Sequence, residues 1–184
     1  MLNVDSGFER CVSLAFVTQA RTFLLNEYLP KIERCLADLT DEQVWWRSDQ
    51  QSNSVGNLLL HLSGNARQWI VAGLGGRPDE RRRQTEFDER SIIPRHALLT
   101  KLQETLTDVD SVLAEFDADA LLTRYQIQNC DVTALEAIFH VVEHFSMHTG
   151  QIILLTKLLT ESDLGFYDFS RGVPDRTWGK DKSL

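Results

Sequence analysis

Three histidines stand four residues apart near the end of the chain. His140, His144 and His148 lie in the run HVVEHFSMHTGQI and make up three of the five histidines in 184 residues. On a helix, side chains at i and i+4 share a face, about 6 Å apart along the axis. A His-x-x-x-His pair of this kind can chelate one divalent ion, as helical zinc sites do. The ladder is nevertheless too long for a single ion. His140 and His148 would be about 12 Å apart along the axis, whereas metal–imidazole bonds are about 2 Å.

At about 100° per residue, Ile138, Val141, Phe145, Ile152 and Leu159 form one apolar stripe. His148 falls inside it, His144 at its edge, and His140 well round toward solvent. His144 with His148 is therefore the better pair. A catalytic zinc usually has three protein ligands and one open position. His61 is the candidate third, at the edge of a stripe formed by Leu58, Leu62 and Trp69 on an earlier helix. Metal sites in bundles are assembled in this way from facing helices. His96 reads as a surface residue or a fourth polar group. Gln151 follows His148 by three and shares its face, which makes it a candidate substrate contact or a plain surface glutamine. Asn65 follows His61 by four, faces inward, and is a candidate to orient a ligand or to cap a buried carbonyl. Between His144 and His148 the glutamate of a His-Glu-x-x-His protease is missing, and Glu143 points elsewhere. Trp45 and Trp46 read as core packing rather than pocket lining.

These residues must be positioned by helices, because no segment shows convincing strand alternation. The first long helix runs from about Ser6 to Ala37, and Pro30 is expected to bend or interrupt it. Thr40 to Gln43 matches a capping box and predicts a short helix through Trp46. The second long helix runs from about Ser54 to Leu74, with Ser54 or Ser52 as its cap, and is ended by Gly75-Gly76. The charged segment Arg77 to Ile93 is long enough to cross from one end of a bundle to the other. The third helix starts near Pro94 and reaches about Phe116. The last starts at Thr133, with Glu136 completing a Thr-x-x-Glu box, and runs to about Thr160. The expectation is one all-α domain over 1–184, a four-helix bundle with an irregular tail over 162–184. Phe166, Tyr167, Phe169 and Trp178 in that tail are expected to dock on the bundle or on a partner subunit.

The formal net charge of −8 disfavours nucleic-acid binding, because phosphate backbones repel an acidic surface. Arg81-Arg82-Arg83 is flanked by Asp79, Glu80, Glu86, Asp88 and Glu89, and reads as a solvated loop. Cys11, Cys35 and Cys130 are odd in number, widely spaced and without a Cys-x-x-Cys pair. They read as reduced, buried thiols in a cytoplasmic protein. The start MLNVDSGFER lacks the features of a signal peptide, and no apolar run is long enough to span a membrane.

The blocks NLLLHLSGN (Asn57 to Asn65), His140-Val141-Val142-Glu143-His144 and His148-Thr149-Gly150-Gln151-Ile152 resemble the DinB-like superfamily of metalloenzymes, also called DinB/YfiT-like. They are most similar to a bacterial subfamily of unknown function, and the likeness extends from Phe8 to Leu159. The resemblance implies a four-helix bundle with long crossover connections, often as a homodimer. It also implies a divalent ion, Zn²⁺ or Ni²⁺, held by His61, His144 and His148, with His140 structural or supporting. Some relatives are transferases or isomerases that use a low-molecular-weight thiol. The readings carried forward are a metal-dependent transferase or small-molecule hydrolase, a non-catalytic metal- or ligand-binding bundle, and a protein whose aromatic tail mediates assembly.

Overall fold

The computed structural model describes residues 6–178. Helix α1 (Ser6–Thr22) continues through a π-helical segment (Phe23–Tyr28) into α2 (Leu29–Asp38). The interruption expected at Pro30 is this change of winding. Pro30 lies in the first turn of α2, where a missing N–H costs least. A reciprocal box between Thr40 and Gln43 opens α3 (Asp41–Val44). Ser54 caps α4 (Val55–Ala66), with Asn57 answering as the reciprocal partner. A second π segment, Arg67–Ala72, prolongs α4.

The long connection that follows contains a short helix, α5 (Arg83–Asp88), and leads to α6 (Arg95–Glu115). Strands β1 (Arg124–Ile127) and β2 (Cys130–Thr133) then pair antiparallel, with Arg124 opposite Thr133. Thr133 and Glu136 form the box that starts α7 (Ala134–Thr160). The tail folds into a minimal hairpin of β3 (Tyr167–Asp168) and β4 (Asp175–Arg176). The all-α class expected holds, and the two short hairpins are additions to it that the sequence did not announce. Gln128 and Asn129 both take positive φ, 52° and 63°, which is the geometry of a two-residue hairpin turn.

Side-chain pairs give the directions. His61 faces His144 and Asn65 faces His140, so α4 and α7 run antiparallel. Gln103 meets Glu33 and Asp110 meets Arg21, so α6 opposes the α1–α2 helix. Asn57 at the start of α4 meets the Glu89 carbonyl shortly before α6, and Arg67 just past the end of α4 reaches Asp108 well along α6, so α4 and α6 run parallel. Only the connection over residues 73–94 can return the chain for that parallel pass, and it is the crossover. The four long helices bury a common core in which Ile32, Leu62, Leu102, Phe145 and Ile152 are fully excluded from water. Each such side chain stabilises the fold by about 1.5–3 kcal/mol. Among the described residues, no helix is long and apolar enough to cross a membrane.

The tail docks on its own bundle. Trp178 Nε1 donates to the Asn26 carbonyl at 2.8 Å, and the Lys31 ammonium sits 4.5 Å from the Trp178 ring. Arg34 donates to the Gly165 carbonyl and to Thr177 Oγ1. Buried Glu27, on the first π segment, pairs with Lys31 and with Arg176 of β4. Residues 179–184 of the expected tail lie outside the described residues.

The cysteine expectation holds for one residue of three. Cys35 is fully buried, and Cys11 and Cys130 are exposed on α1 and at the hairpin turn. Burial pushes the Cys35 thiol up to about 11, so at neutral pH it is neither accessible nor ionised. Iodoacetamide is expected to alkylate the native protein at Cys11 and Cys130 and to reach Cys35 only in denaturant. Peptide mass spectrometry checks this, and native labelling of Cys35 would contradict the packing of α2 on α7.

Candidate metal centre

The antiparallel pass of α4 and α7 brings His61 against His144 and His148. Ring centroids are 4.8 Å apart for His61 and His144, 5.2 Å for His61 and His148, and 4.4 Å for His144 and His148. One ring nitrogen of each lies within 4.8 Å of those of the other two. His61 Nε2 and His144 Nε2 are 2.8 Å apart. His61 is 4% exposed and His148 8%. The three imidazoles predicted to converge therefore do so. Among the described residues they form the group of histidines, cysteines or carboxylates able to hold a divalent ion.

The tautomers are fixed from behind. His61 Nδ1 lies 2.8 Å from Glu86 Oε2. Arg81 Nη2 also lies 3.1 Å from this nitrogen, but its better bond is to Glu86 Oε2 at 2.9 Å; an ionised carboxylate only accepts, so the shorter Glu86 contact assigns the proton to Nδ1 and leaves Nε2 its lone pair. His148 Nδ1 donates to Gln151 Oε1 at 2.8 Å, which frees His148 Nε2 in the same way. That Nε2 is buried and has no hydrogen-bond partner. An orphaned buried acceptor is costly, and a cation between the rings is the partner that would satisfy it. Burial is the main cause that drives His144 down to about 3, helped by the charges of His148, His61, His140 and Arg81. His144 is thus a neutral imidazole at physiological pH, the form that ligates a metal.

Glu86 comes from α5 in the crossover. Burial opposes its charge, but hydrogen bonds from Arg81 and His61 and the Arg81 charge outweigh it and hold the carboxyl below the usual range. Arg81 Nε donates to Oε1 at 2.8 Å and Nη2 to Oε2 at 2.9 Å, while Nη1 reaches Gln68 Oε1. The Arg81 side chain is only 5% exposed. This corrects its reading as part of a solvated loop, since the neighbouring acidic residue is a buried partner. Gly64 makes the arrangement possible. A Cβ there would lie 2.0 Å from Glu86 Oε1 and 3.0 Å from Arg81 Nε.

Glu86, Arg81 and Gly64 were missed in the sequence. The available signal was a glycine in the middle of a strongly helical block, one turn after the candidate ligand His61. Glu86 itself is one carboxylate among many in a charged run. The expected supporting residues take specific places. Asn65 Nδ2 donates to His140 Nε2 at 3.1 Å. His140 is half-buried and packs tilted against Trp69, with ring centroids 4.1 Å apart, so it does not project into solvent as its position on the helix suggested. The π segment after α4 carries Trp69 under that ring. His140 lies 5.3 Å from the His144 ring. Gln151 orients His148. His96 and Glu143 are exposed, Trp45 is buried and Trp46 is largely exposed. Phe87 closes one side of His61 at 4.6 Å between rings. A cleft of about 1040 Å³ lies on the far side of the Glu86–Arg81 pair, under the crossover, and none of the three histidines lines it.

The chain belongs to a family of proteins of unknown function, DUF1572, whose model matches residues 12–173. No functionally curated protein matches it. Its fold is similar to that of a conserved protein from Enterococcus faecalis, at 17% identity and a TM-score of 0.61, covering 82% of this chain and 96% of that one. It is likewise similar to a DinB-like protein from Bacillus cereus, at 17% identity and a TM-score of 0.56, covering 74% and 90%. The chain is thus an all-α member of that family, with a fold like that of the DinB-like protein and a cluster of three histidines.

Gly64→Ala should improve helix propensity by about 1 kcal/mol and yet destabilise the protein, because the new Cβ displaces Glu86. The slowly exchanging Nδ1–H resonance of His61 in nitrogen-15 NMR is expected to vanish with it; its persistence would mean that Glu86 does not hold the ring. The buried histidines also set an acid limit. An unfolded imidazole titrates near 6.5 and His144 in the fold at about 3. The unfolded chain therefore binds more protons between those values. The contribution of His144 is complete above about pH 6.5 and is lost as the pH falls toward 3. In metal-free protein the urea midpoint should drop between about pH 7 and pH 5, with a shallower slope in His144→Gln.

Proposed function

We propose that the protein is a divalent-metal-dependent enzyme that holds one Zn²⁺ or Ni²⁺ through His61, His144 and His148. The observation that carries this reading is the convergence of three imidazole nitrogens with His148 Nε2 buried and unpartnered. Three neutral nitrogen donors suit either ion and leave a position open to substrate. A divalent ion at such a site lowers the pKa of a bound water or thiol and so supplies a nucleophile near neutral pH.

The chain's own residues then have defined tasks. Glu86 accepts the His61 Nδ1 proton and keeps that ring turned inward, and Arg81 keeps Glu86 ionised. Gln151 does the same for His148. Asn65 Oδ1 is buried without a partner and is the acceptor offered to a donor group of the substrate. Asn65 and Trp69 hold His140 at the edge of the cluster with Nδ1 protonated. The resemblance to DinB-like proteins supports transfer of a low-molecular-weight thiol to a small electrophile. Hydrolysis of a small molecule would use the same centre with water. The partner is a small molecule in the cytoplasm, and the net charge of −8 argues against nucleic acid.

The contact between His61 and His144 at 2.8 Å favours a second reading, a non-catalytic bundle whose histidines bond to each other without an ion. Elemental analysis of protein purified without a histidine tag separates the two. About one equivalent of metal per chain is expected, falling to near zero in His61→Ala and His148→Ala and by roughly 10–100-fold in affinity in Glu86→Gln. Full occupancy in the alanine variants would refute the ligand assignment. The loaded protein should accelerate attack of a thiol on a panel of electrophiles in a chelator-sensitive way. A metal-bound protein inactive across thiols and esters would favour the bundle without catalysis.

A further inference from the structure

His61 has a different element on each side of its ring. Nδ1 faces Glu86 of α5, and Nε2 faces His144 of α7. The histidine cluster therefore lies between the crossover and the last helix, and the half-buried His140 and His144 rings mark its open side.

The crossover splits its side chains between two faces here. Arg82, Thr85, Glu86 and Glu89 line the cleft under the crossover, while Arg83 and Phe87 do not. Phe87 instead stands against His61, 4.6 Å between rings, and the Arg83 guanidinium lies 4.8 Å from the Phe87 ring. Arg83 is thus one aromatic ring away from His61, held by a cation–π contact. On the opposite bank, Glu143 directly precedes His144 on α7. Burial lowers His140 and His148, and the Glu143 charge opposes that shift at both rings, so the carboxylate is close enough to act on the cluster.

These two charges are exposed, and neither makes an ion pair or a side-chain hydrogen bond among the described residues. Nearby arginines of the crossover are engaged, Arg81 by Glu86 and Arg77 by Asp108. Beside the cluster, Asn65 is 3% exposed and its Oδ1 has no partner.

We propose that this groove receives a short peptide thiol, with its terminal ammonium on Glu143, its terminal carboxylate on Arg83 and its sulfur between them at the three histidines. The inference rests on the metal-dependent thiol chemistry proposed for the cluster and adds the carrier of the thiol. A single amino acid does not fit, because its ammonium and carboxylate share one carbon, whereas Arg83 and Glu143 stand on opposite sides of His61. A peptide with cysteine in the middle separates the two charges and puts sulfur between them. It also brings backbone N–H groups, the donors that a buried Asn65 Oδ1 needs. The reversed orientation would set like charge on like charge at both ends.

The test is an optical titration of the cobalt(II)-loaded protein, in which a bound thiolate gives a near-ultraviolet band. The probes are the peptide Gly-Cys-Gly, its N-acetyl form, its carboxamide and the form blocked at both ends. Work at about pH 7 keeps the terminal amine, with a pKa of about 7.7–8.0, protonated. The free peptide should bind tightest. Each single block should weaken it about threefold to fivefold, and both blocks roughly tenfold to 25-fold, as two independent exposed ion pairs would. In Arg83→Ala the carboxamide and the free acid should bind alike while acetylation still weakens binding, and Glu143→Gln should show the converse. Equal affinity of the four peptides for wild type overturns the inference and leaves the thiol chemistry of the cluster standing. End preferences that persist unchanged in both variants overturn the assignment of the two residues. A wild type that takes up no cobalt, or gives no thiolate band with any peptide or with 2-mercaptoethanol, refutes the thiol chemistry itself, and the inference falls with it.

Discussion

The hydrogen bond between His61 and Glu86 is the constraint on which this structure turns. It places a carboxylate 25 residues away in sequence, on a polar crossover, against a buried helix. Burying such a charge costs several kcal/mol unless it is paired and bonded. Arg81 supplies the pairing through two nitrogens, and Gly64 supplies the space. With little apolar surface of its own, the crossover is fastened largely by polar bonds. Asn57 Nδ2 donates to the carbonyls of Glu86 and Glu89, Arg47 reaches Asn57 Oδ1, and Gln68 reaches Asp79. A segment whose composition suggests a loose loop thus becomes one wall of the histidine cluster.

The short block His61-Leu62-Ser63-Gly64-Asn65 shows how closely the tasks are packed. His61 faces the cluster. Leu62 is fully buried in the core. Ser63 satisfies its hydroxyl on the Leu59 carbonyl at 2.9 Å, which allows a polar side chain to be buried. Gly64 admits Glu86, and Asn65 secures His140. The next residues wind as a π helix, a geometry that recurs near functional sites. Trp69 there supports His140 on one side and donates to Gln128 of the hairpin on the other.

Periodicity and caps made the scaffold legible in the sequence. Thr40 and Thr133 each cap where their boxes predicted, and of the two serines offered for the second long helix Ser54 is the cap, because a cap is a local bond between near neighbours. The inward pair His144/His148 followed from helical rotation, which made His61 a candidate third that the family resemblance then supported. What stayed hidden depends on distant contacts. Gln128-Asn129 lacks the glycine that usually announces a tight hairpin, and the strands it joins are four residues each. The π segments leave no pattern in the chain. Arg81 looked solvated because its neighbours are charged, and only the folded crossover shows that one of those charges is buried beside it. His140 was misplaced because helical rotation gives a side chain's direction and not the tryptophan waiting on another helix.

Gly64 has a consequence for how this sequence can drift. The space it leaves is filled by one oxygen of Glu86, so the two positions are not free to change independently. A lineage that gains any side chain at 64 must shorten or remove the carboxylate at 86. His61 then loses its acceptor, and Arg81 is left as an unbalanced buried cation. Loss of the glycine should therefore travel with loss of the arginine and the glutamate. In a set of relatives, the helix and the crossover would then change together at these three positions although little else in the crossover is constrained.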